Sequence, residues 1–292
     1  LMDQLSKLDQ WKKLIQTVIG LKIIQANSNI SDRNLVLSIQ VGLNGLSFLV
    51  LDLFTKKVEL IRDIKFAEKI TPKQLLKNLI EEFDNIDLLN ENFNKIQVIH
   101  DNEVQTLVPS ALFEEANLSD YLKFNAKIFK NDFITYDAIT NQEIMSVYVP
   151  YVNVNNYIFE KFGSFEYKHS STVIIDKVLQ IEKNIKEKSL YVNVEKSNID
   201  VLVISSNSLL FYNKFNYNTK EDFIYFILFT IEQLELNPEK LNCKFLGSIL
   251  NDDELFKIAY KYIRNVSIVS FKKMNYFKNK DTKHFTILNS YR

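Results

Sequence analysis

Glycine is the residue type that this sequence most lacks. The 292 residues include only 5 glycines, whereas average usage of about 7 % would give roughly 20. Proteins place glycine where the backbone turns sharply or where a ligand or a neighbouring segment approaches closely. We therefore expect each remaining glycine to mark such a position, and three of them, Gly42, Gly45 and Gly247, lie at the ends of predicted strands.

Arginine is scarce as well. The chain has 36 basic residues, and the arginines among them are Arg33, Arg62, Arg264 and Arg292. Arginine makes the planar two-point contacts to phosphate and guanine that lysine cannot make. Acidic residues also number 36, so the formal net charge is zero and gives no field that attracts a polyanion. Both features argue against a nucleic-acid partner.

Cysteine and long hydrophobic segments are also missing. Cys243 is the single cysteine, so an intramolecular disulfide is excluded, and no cysteine or histidine spacing matches a zinc site. We therefore expect no metal centre and a reducing, cytoplasmic compartment. The longest apolar run, residues 223–231, is about half the length that spans a bilayer. That run predicts a buried helix, and we expect no membrane span.

The amino-terminal residues 1–30 form a separate segment in this interpretation. Residues 11–25 are amphipathic, with apolar side chains at Trp11, Leu14, Val18 and Ile19 and lysines between them. They lack the continuous apolar core and the cleavage site of a signal peptide. We predict a helical or non-native extension, with a helix that lies in a membrane interface as the alternative.

One order of elements occurs twice: three strands, a helix and a further strand. The predicted strands are 35–41, 46–53, 58–62 and 96–100 in the first half and 190–194, 199–205, 209–217 and 243–246 in the second. Each helix begins at a capping box, Thr71 with Gln74 and Thr219 with Asp222. We therefore predict an α/β protein with a duplicated two-lobed fold, residues 31–186 and 187–292, each lobe a mixed sheet flanked by helices.

The remaining segments predict connecting elements. Periodic apolar spacing predicts helices at 111–121, 152–162, 171–186 and 252–263, and short apolar runs predict strands at 133–137, 144–149 and 285–288. The helix at 171–186 has the apolar spacing expected of an element that bridges the two lobes. The turn after Gly42 contains Asn44-Gly45, a pair that favours hairpins because both turn positions take positive φ.

This order of elements resembles the actin-like ATPase fold, which is ribonuclease H-like and is shared by actin, sugar kinases, heat-shock chaperone ATPases and pilus-assembly scaffolds. Residues 37–48, 245–247 and 262–266 more narrowly resemble an uncharacterised bacterial family of unknown function with that fold. The resemblance covers about residues 30–292 and implies a cleft between the lobes. In active members of the superfamily that cleft binds ATP and magnesium through two Asp-x-Gly turns and a glycine pair.

The resemblance places these motifs on particular residues of the chain. The candidate cleft residues are Gln40, Gly42, Asn44, Gly45, Glu195, Ser197 and Gly247. Gln40 stands where an aspartate would hold the magnesium ion. Loss of one carboxylate charge at about 5 Å from a cation weakens the attraction by roughly 3 kcal/mol. Glu195 is a methylene longer than aspartate, and Ser197 adds a Cβ where glycine lets phosphate approach. The hydrolytic motifs are therefore altered.

From these departures we predict a non-hydrolytic interaction or scaffold protein that has no catalytic residue and no cofactor. Its partner would be another protein or a second copy of itself. The alternative is a divergent ATPase or kinase that binds ATP with magnesium between the lobes. A weaker alternative is RNA association through a lysine tract near the carboxyl terminus, where a solvated loop is the preferred interpretation: Lys272, Lys273, Lys278, Lys280 and Lys283.

Two segments that contain histidine have residue types found in catalytic sites. His100 precedes three polar residues, Asp101 to Glu103, and we interpret this segment as a solvated turn. His169 precedes Ser170 and Ser171, where a helix cap is expected, so we assign them no nucleophilic role.

Overall fold

The structure is a computed structural model that describes residues 33–124, 126–129, 131–183, 185–269 and 283–291. The predicted amino-terminal extension lies outside these residues, and so does the lysine tract except for Lys283.

The described residues form thirteen strands and seven α-helices. The strands are β1 (Leu35–Gly42), β2 (Gly45–Asp52), β3 (Lys57–Lys65), β4 (Lys95–Asp101), β5 (Gln105–Pro109), β6 (Thr135–Ala138), β7 (Ile144–Tyr148), β8 (Glu166–His169), β9 (Ser189–Val194), β10 (Asn198–Ser205), β11 (Ser208–Asn216), β12 (Asn242–Gly247) and β13 (Asn265–Ile268). The helices are α1 (Pro72–Asn85), α2 (Leu118–Leu122), α3 (Val152–Phe162), α4 (Ser170–Ile181), α5 (Lys220–Gln233), α6 (Glu254–Tyr262) and α7 (Phe285–Leu288).

Two five-stranded sheets repeat one topology. Their orders are β3-β2-β1-β4-β8 and β11-β10-β9-β12-β13. In each sheet the first three strands pair antiparallel, and the last two run parallel to the central strand. The prediction of two lobes, each with a mixed sheet and flanking helices, is confirmed. A third sheet, β5-β7-β6, is inserted between β4 and α3 of the first lobe.

Local sequence signals fix the start of the main helix in each lobe. Thr71 caps α1 and its amide donates to Gln74 Oε1 at 2.9 Å, and Thr219 caps α5 through a reciprocal pair with Asp222. Both predicted capping boxes are therefore present. Helix α1 then buries Leu75, Leu79 and Phe83 against the first sheet.

Helix α4 joins the two lobes by packing against both. Its Ile174, Ile175 and Val178 lie in a buried cluster with Tyr191 and Leu246 of the second sheet. On another face of the helix, Val173 packs with apolar residues of the first sheet. The helix predicted at 171–186 is confirmed in this bridging position, although it ends at residue 181.

Two of the predicted connecting elements are wrong. Residues 111–121 form two short 3-10 turns and then the five-residue α2 instead of one helix. The predicted strand at 285–288 is the single helical turn α7, whose Phe285, Ile287 and Leu288 are buried among residues of both lobes. Short apolar runs do not distinguish a strand from a buried helical turn, because tertiary contacts decide.

Among the described residues we find no helix with the length and hydrophobicity that crossing a bilayer requires. The apolar run 223–231 lies in α5, which buries Phe223 and Ile227 and leaves Tyr225 and Phe229 exposed.

Candidate functional site

A cleft of about 500 Å³ lies between the two lobes. The first lobe contributes the β1–β2 turn, the ends of β3 and β4 and the start of α3, and the second lobe contributes the β9–β10 turn and β11. Six of the seven candidate residues line this cleft: Gln40, Gly42, Asn44, Gly45, Glu195 and Ser197. The resemblance therefore identified residues that are far apart in the chain and that line one cavity in the structure.

The floor of the cleft is an ion pair between the lobes. Lys214 on β11 pairs with Asp101, which ends β4 of the other lobe, and its Nζ lies 3.4 Å from Asp200 Oδ1. The hydroxyl of Ser170 donates to Asp101 at 2.8 Å, and that of Tyr212 donates to Asp200 at 2.8 Å. The two carboxylates and the ammonium are thus shielded from water and held by further donors.

Charge pairing outweighs burial at this ion pair. Burial alone would raise the pKa of Asp101, but the attraction of Lys214 and hydrogen bonds to the carboxylate lower that pKa below its usual range. Burial alone would lower the pKa of Lys214, but Asp101 and Asp200 raise it above its usual range. Asp101 and Lys214 are therefore both charged at neutral pH, and their pairing links the first sheet to the second.

Glu195, at the end of β9, lies beside this ion pair and is only partly exposed. Burial, followed by the negative charges of Asp101 and Asp200, raises the pKa of Glu195 to about 8. The backbone of Glu195 is fixed, because its amide donates to Asn198 O at 2.9 Å and its carbonyl accepts from the Tyr217 hydroxyl at 2.7 Å. The carboxyl group is thus protonated at neutral pH in a rigid turn.

The raised pKa of Glu195 predicts a loss of stability at alkaline pH. The folded protein holds the proton more tightly than the unfolded chain, so its stabilising effect is complete below the unfolded pKa and disappears as the pH rises through about 8. From about pH 6 to about pH 9 we expect wild type to lose roughly 2 kcal/mol of unfolding free energy relative to Glu195→Gln. Urea unfolding at both pH values measures this difference.

Glu103→Gln is the matched control for this experiment. Glu103 lines the same cleft, but hydrogen bonds from Asn216 and Lys69 outweigh partial burial and lower its pKa. A carboxyl with a lowered pKa stays ionised in this pH window, so its replacement leaves the alkaline loss unchanged. An equal loss in wild type and Glu195→Gln would show that Glu195 is ionised throughout.

Two backbone carbonyls of the β1–β2 turn accept hydrogen bonds from the segment that follows β3. The carbonyls of Leu43 and Asn44 accept from the amides of Ile70 and Phe66 at 2.9 and 3.0 Å. The Leu43 amide is directed at the hydroxyl of Tyr151. The turn is therefore braced from two sides by the first lobe.

The glycines of this turn are required by close contacts and not by backbone conformation. The hairpin predicted from Asn44-Gly45 is present. Neither Gly42 nor Gly45 has a positive φ, so the positive φ expected of the pair is wrong. A Cβ on Gly45 would lie 2.6 Å from the Ile64 carbonyl oxygen, and a Cβ on Gly42 would lie 3.1 Å from the Asp101 carbonyl oxygen. The neighbouring strand leaves no room for a Cβ at Gly45, and at Gly42 a Cβ would require β4 to move by a few tenths of an ångström.

Gly247, the seventh candidate, is not among the residues that line the cleft. It ends β12, pairs with Val194 of β9 and has φ +79°. The Ser248 amide donates to Val194 O at 2.7 Å just beyond it. Gly247 thus supports the strand end that carries Glu195.

The two histidines examined in the sequence are buried structural residues. His100 and His169 are paired on adjacent strands and are fully buried, and burial lowers the pKa of each to about 3. His169 Nδ1 accepts from the Ser171 amide at 3.1 Å and caps α4. The cap predicted at Ser170 and Ser171 is therefore one residue earlier, at His169, and the two serines lie in the first turn of the helix. The prediction of a solvated turn at His100 is wrong, because His100 and Asp101 belong to β4.

Lys214 was not identified from the sequence and Asp101 was placed in a solvated turn, although these two residues pair across the cleft. One available signal was the presence of charged residues inside apolar strands. Asp200 follows Ile199 and precedes Val201 in a strand that is otherwise apolar and buried. A buried carboxylate requires a partner, and here the partner is Lys214.

Comparisons with known proteins agree with this architecture. A family model described as a protein of unknown function (DUF3822) matches residues 24–266. A Bacteroides thetaiotaomicron VPI-5482 protein with an actin-like ATPase fold and unknown function is 21 % identical, with a TM-score of 0.72 over 81 % of this chain and 91 % of that one. The structure of the PilM-PilN type IV pilus biogenesis complex is 11 % identical, with a TM-score of 0.57 over 86 % and 94 %. No curated protein matches the sequence. The fold is actin-like.

Proposed function

This chain belongs to the DUF3822 family of proteins of unknown function, and from that premise we propose that it is a non-hydrolytic interaction protein. It uses its actin-like fold to bind another protein or a second copy of itself, and it does not turn over nucleotide. The observation that carries the proposal is the ion pair of Lys214 with Asp101 and Asp200 across the cleft.

The Lys214 ammonium already pairs with the carboxylates that a metal ion would need. A magnesium ion at Asp101 or Asp200 would have to displace the Lys214 ammonium, which would then be left buried without a counter-charge. Breaking a buried ion pair in this way costs about 3–5 kcal/mol. Magnesium also dehydrates reluctantly and demands near-ideal octahedral geometry. The chain's own cation therefore competes strongly with a divalent ion.

The remaining donors do not fit a magnesium triphosphate. Gln40 is neutral, and Glu195 carries a proton at neutral pH. Among the described residues, no three histidine, cysteine, aspartate or glutamate side chains are grouped so as to hold a metal ion. We therefore derive no step through magnesium or ATP.

The cleft also offers a triphosphate no excess of positive charge. Its lining includes Lys65, Lys69, Lys196 and Lys214 against Asp63, Asp101, Glu103 and Asp132, and Glu195 is neutral. Two of these lysines are already paired with carboxylates of the cleft, Lys69 with Glu103 at 3.0 Å and Lys214 with Asp101. Little positive charge is left for phosphate oxygens.

Exposed aromatic side chains support the binding of another protein. Tyr225 and Phe229 on the outer face of α5 are 59 % and 42 % exposed and stack with their rings 5.9 Å apart. Tyrosine and phenylalanine are enriched at protein interfaces. One structural neighbour comes from the PilM-PilN type IV pilus biogenesis complex.

Titration with Mg-ATP tests the proposal. A ligand present at 100 times its Kd raises stability by about 2.7 kcal/mol, which shifts the melting temperature of a chain of this size by roughly 5–10 °C. We expect no saturable shift with millimolar Mg-ATP, and no phosphate release. Magnesium chloride alone and ATP with EDTA serve as controls. A saturable, magnesium-dependent shift would instead support the alternative, a divergent ATPase or kinase.

A further inference from the structure

The outer face of α5 is aromatic where the equivalent helix of the first lobe is charged. Helices α1 and α5 are both 14 residues long and both begin after a threonine cap, so position 225 in α5 corresponds to position 77 in α1. In α1 the exposed ridge holds Lys77 and Glu81, which pair at 3.6 Å. In α5 the same two positions hold the exposed Tyr225 and Phe229. The duplicated fold therefore does not itself require aromatic side chains on this ridge.

Helix α5 has apolar side chains on both its inner and its outer face. Phe223 and Ile227 lie in the core of the second lobe, and Phe226 and Leu228, which flank the exposed ridge, are only half-buried. A helix that is apolar all round is normally covered on every side. The composition of α5 thus indicates that a further surface covers its outer face.

A carboxylate lies at each end of this aromatic ridge. Glu221, Tyr225, Phe229 and Glu232 are spaced by four, four and three residues, so they lie on one face of the helix, and all four are exposed. Lys220, beside Glu221, already pairs with Glu254. The two carboxylates are eleven residues apart, which is about 17 Å along a helix. This face fits an amphipathic helix that has an apolar stripe and a cation near each end.

Residues 11–25 of the same chain have this pattern. Trp11, Ile15 and Val18 are spaced by four and three residues, the spacing that forms an apolar stripe on a helix. The segment contains three lysines and no acidic residue. Lys12 and Lys22 are ten residues apart, which is about 15 Å along a helix. The spacing and sign of these charges complement the two carboxylates of α5.

We propose that residues 11–25 of one copy of the chain bind as an amphipathic helix to the outer face of α5 in a neighbouring copy. The inference rests on the proposed interaction function and names the partner as a second copy. The two helices run antiparallel, so that Lys22 meets Glu221 and Lys12 meets Glu232, while the apolar stripe packs on Tyr225 and Phe229. Helix-in-groove binding of this kind is a common mode of recognition.

The order of the layers assigns the segment to a neighbouring copy. Strand β1, which follows the segment, lies in the first sheet, and α4 packs between the first and second sheets. Helix α5 packs on the face of the second sheet that is turned away from α4. From the first sheet to α5 is therefore three layer spacings, or about 30 Å. The seven residues 26–32 extend at most about 25 Å, so the segment does not reach α5 of its own copy.

A contact between two different surfaces joins copies head to tail. Each copy offers one segment and one α5 face, so association continues beyond a dimer into a ring or an open chain. This property distinguishes the proposed contact from a symmetric contact between two α5 helices, which stops at a dimer.

Sedimentation velocity of the full chain with two variants tests the inference. The ridge variant combines Tyr225→Lys with Phe229→Glu and so copies the charged pair found in α1. The segment variant combines Ile15→Gln with Val18→Gln. We expect the average mass of wild type to rise between about 1 and about 100 μM. Each variant should weaken this association at least about tenfold, and thermal melts verify that both variants stay folded.

An equimolar mixture of the two variants is the decisive sample. The ridge variant keeps an intact segment and the segment variant keeps an intact α5 face, so together they can form one contact and no more. We expect the mixture to form a dimer that neither variant forms alone. Phe159→Glu is the matched control, because Phe159 is an exposed aromatic residue on a helix of the first lobe. It should change the association by no more than about twofold.

Three results would overturn the inference. The first is a wild-type chain that stays monomeric at about 100 μM, including one whose residues 11–25 bind vesicles of phosphatidylglycerol instead. The second is association that the segment variant retains, as a symmetric contact between α5 helices predicts. The third is a mixture of the two variants that forms no dimer. A chain that shows no Mg-ATP shift and stays monomeric keeps the proposed function and loses only this inference, whereas a saturable Mg-ATP shift contradicts the proposed function alone.

Discussion

Replacement of Lys214 by methionine is expected to lower the free energy of unfolding by about 3–5 kcal/mol, because it leaves two buried carboxylates without their cation. Asp101 and Asp200 have side chains that are 18 % and 1 % exposed, so water can compensate little of the lost charge. Methionine keeps most of the length of the side chain, so the change removes charge with little change in packing. The melting temperature should fall by roughly 6–20 °C.

Surface lysines provide the control. Lys220 pairs with Glu254 at 2.7 Å, but the two side chains are 45 % and 71 % exposed, and exposed pairs contribute at most about 1 kcal/mol. Lys220→Met should therefore leave the melting temperature nearly unchanged. Adding Asp101→Asn to Lys214→Met should recover part of the loss, because one of the two stranded charges is then removed.

The pH dependence of Lys214→Met gives an independent check with a defined sign. Without the lysine, burial dominates and the pKa of Asp101 rises above that of the unfolded chain. The folded variant then takes up protons more readily than the unfolded variant, so its deficit relative to wild type should shrink as the pH falls toward about 5. A variant as stable as wild type at neutral pH would remove the main support for the proposed function.

Local signals in the sequence were sufficient for much of the fold. The capping boxes at Thr71 and Thr219 and the apolar strands around them involve residues a few positions apart, so the order of elements in each lobe was predictable. The two equivalent sheet topologies follow from that order. The position of α7 was not predictable, because four apolar residues become a helical turn only through contacts with both lobes.

Residues of the candidate site could be predicted only where they belong to a recognisable sequence motif. Gln40 and Glu195 were identified because the resemblance to the actin-like ATPase fold places one motif on each of them. Asp101 and Lys214, 113 residues apart, belong to no motif, and their pairing exists only once the lobes meet. The glycines show the same limit in another way: their scarcity indicated backbone constraints, but the structure was needed to separate close contact from positive φ.

Gly247→Ala is expected to have the second large effect, more than about 4 kcal/mol of lost unfolding free energy. A Cβ at this position would lie 2.3 Å from the Val194 carbonyl oxygen and 2.8 Å from Asn193 Oδ1. The backbone also has φ +79°, a conformation that costs an alanine about 1–2 kcal/mol. Since two packed strands cannot absorb such overlap, the end of β9 must shift, and Glu195 with it.

Gly163 separates the two contributions to this cost. It follows α3 with φ +80°, close to the value at Gly247, but a Cβ there would meet no atom within 4 Å. Gly163→Ala should therefore cost only the conformational part, about 1–3 kcal/mol. Gly45→Ala has the opposite combination, with ordinary φ and a Cβ 2.6 Å from the Ile64 carbonyl oxygen.

Urea unfolding of the three variants measures the conformational cost and the cost of close contact separately. Equal costs at Gly247 and Gly163 would mean that β9 yields to the added methyl group, and the site would then tolerate movement of Glu195. A larger cost at Gly247 would show that close packing of β9 against β12 fixes the strand end that precedes Glu195.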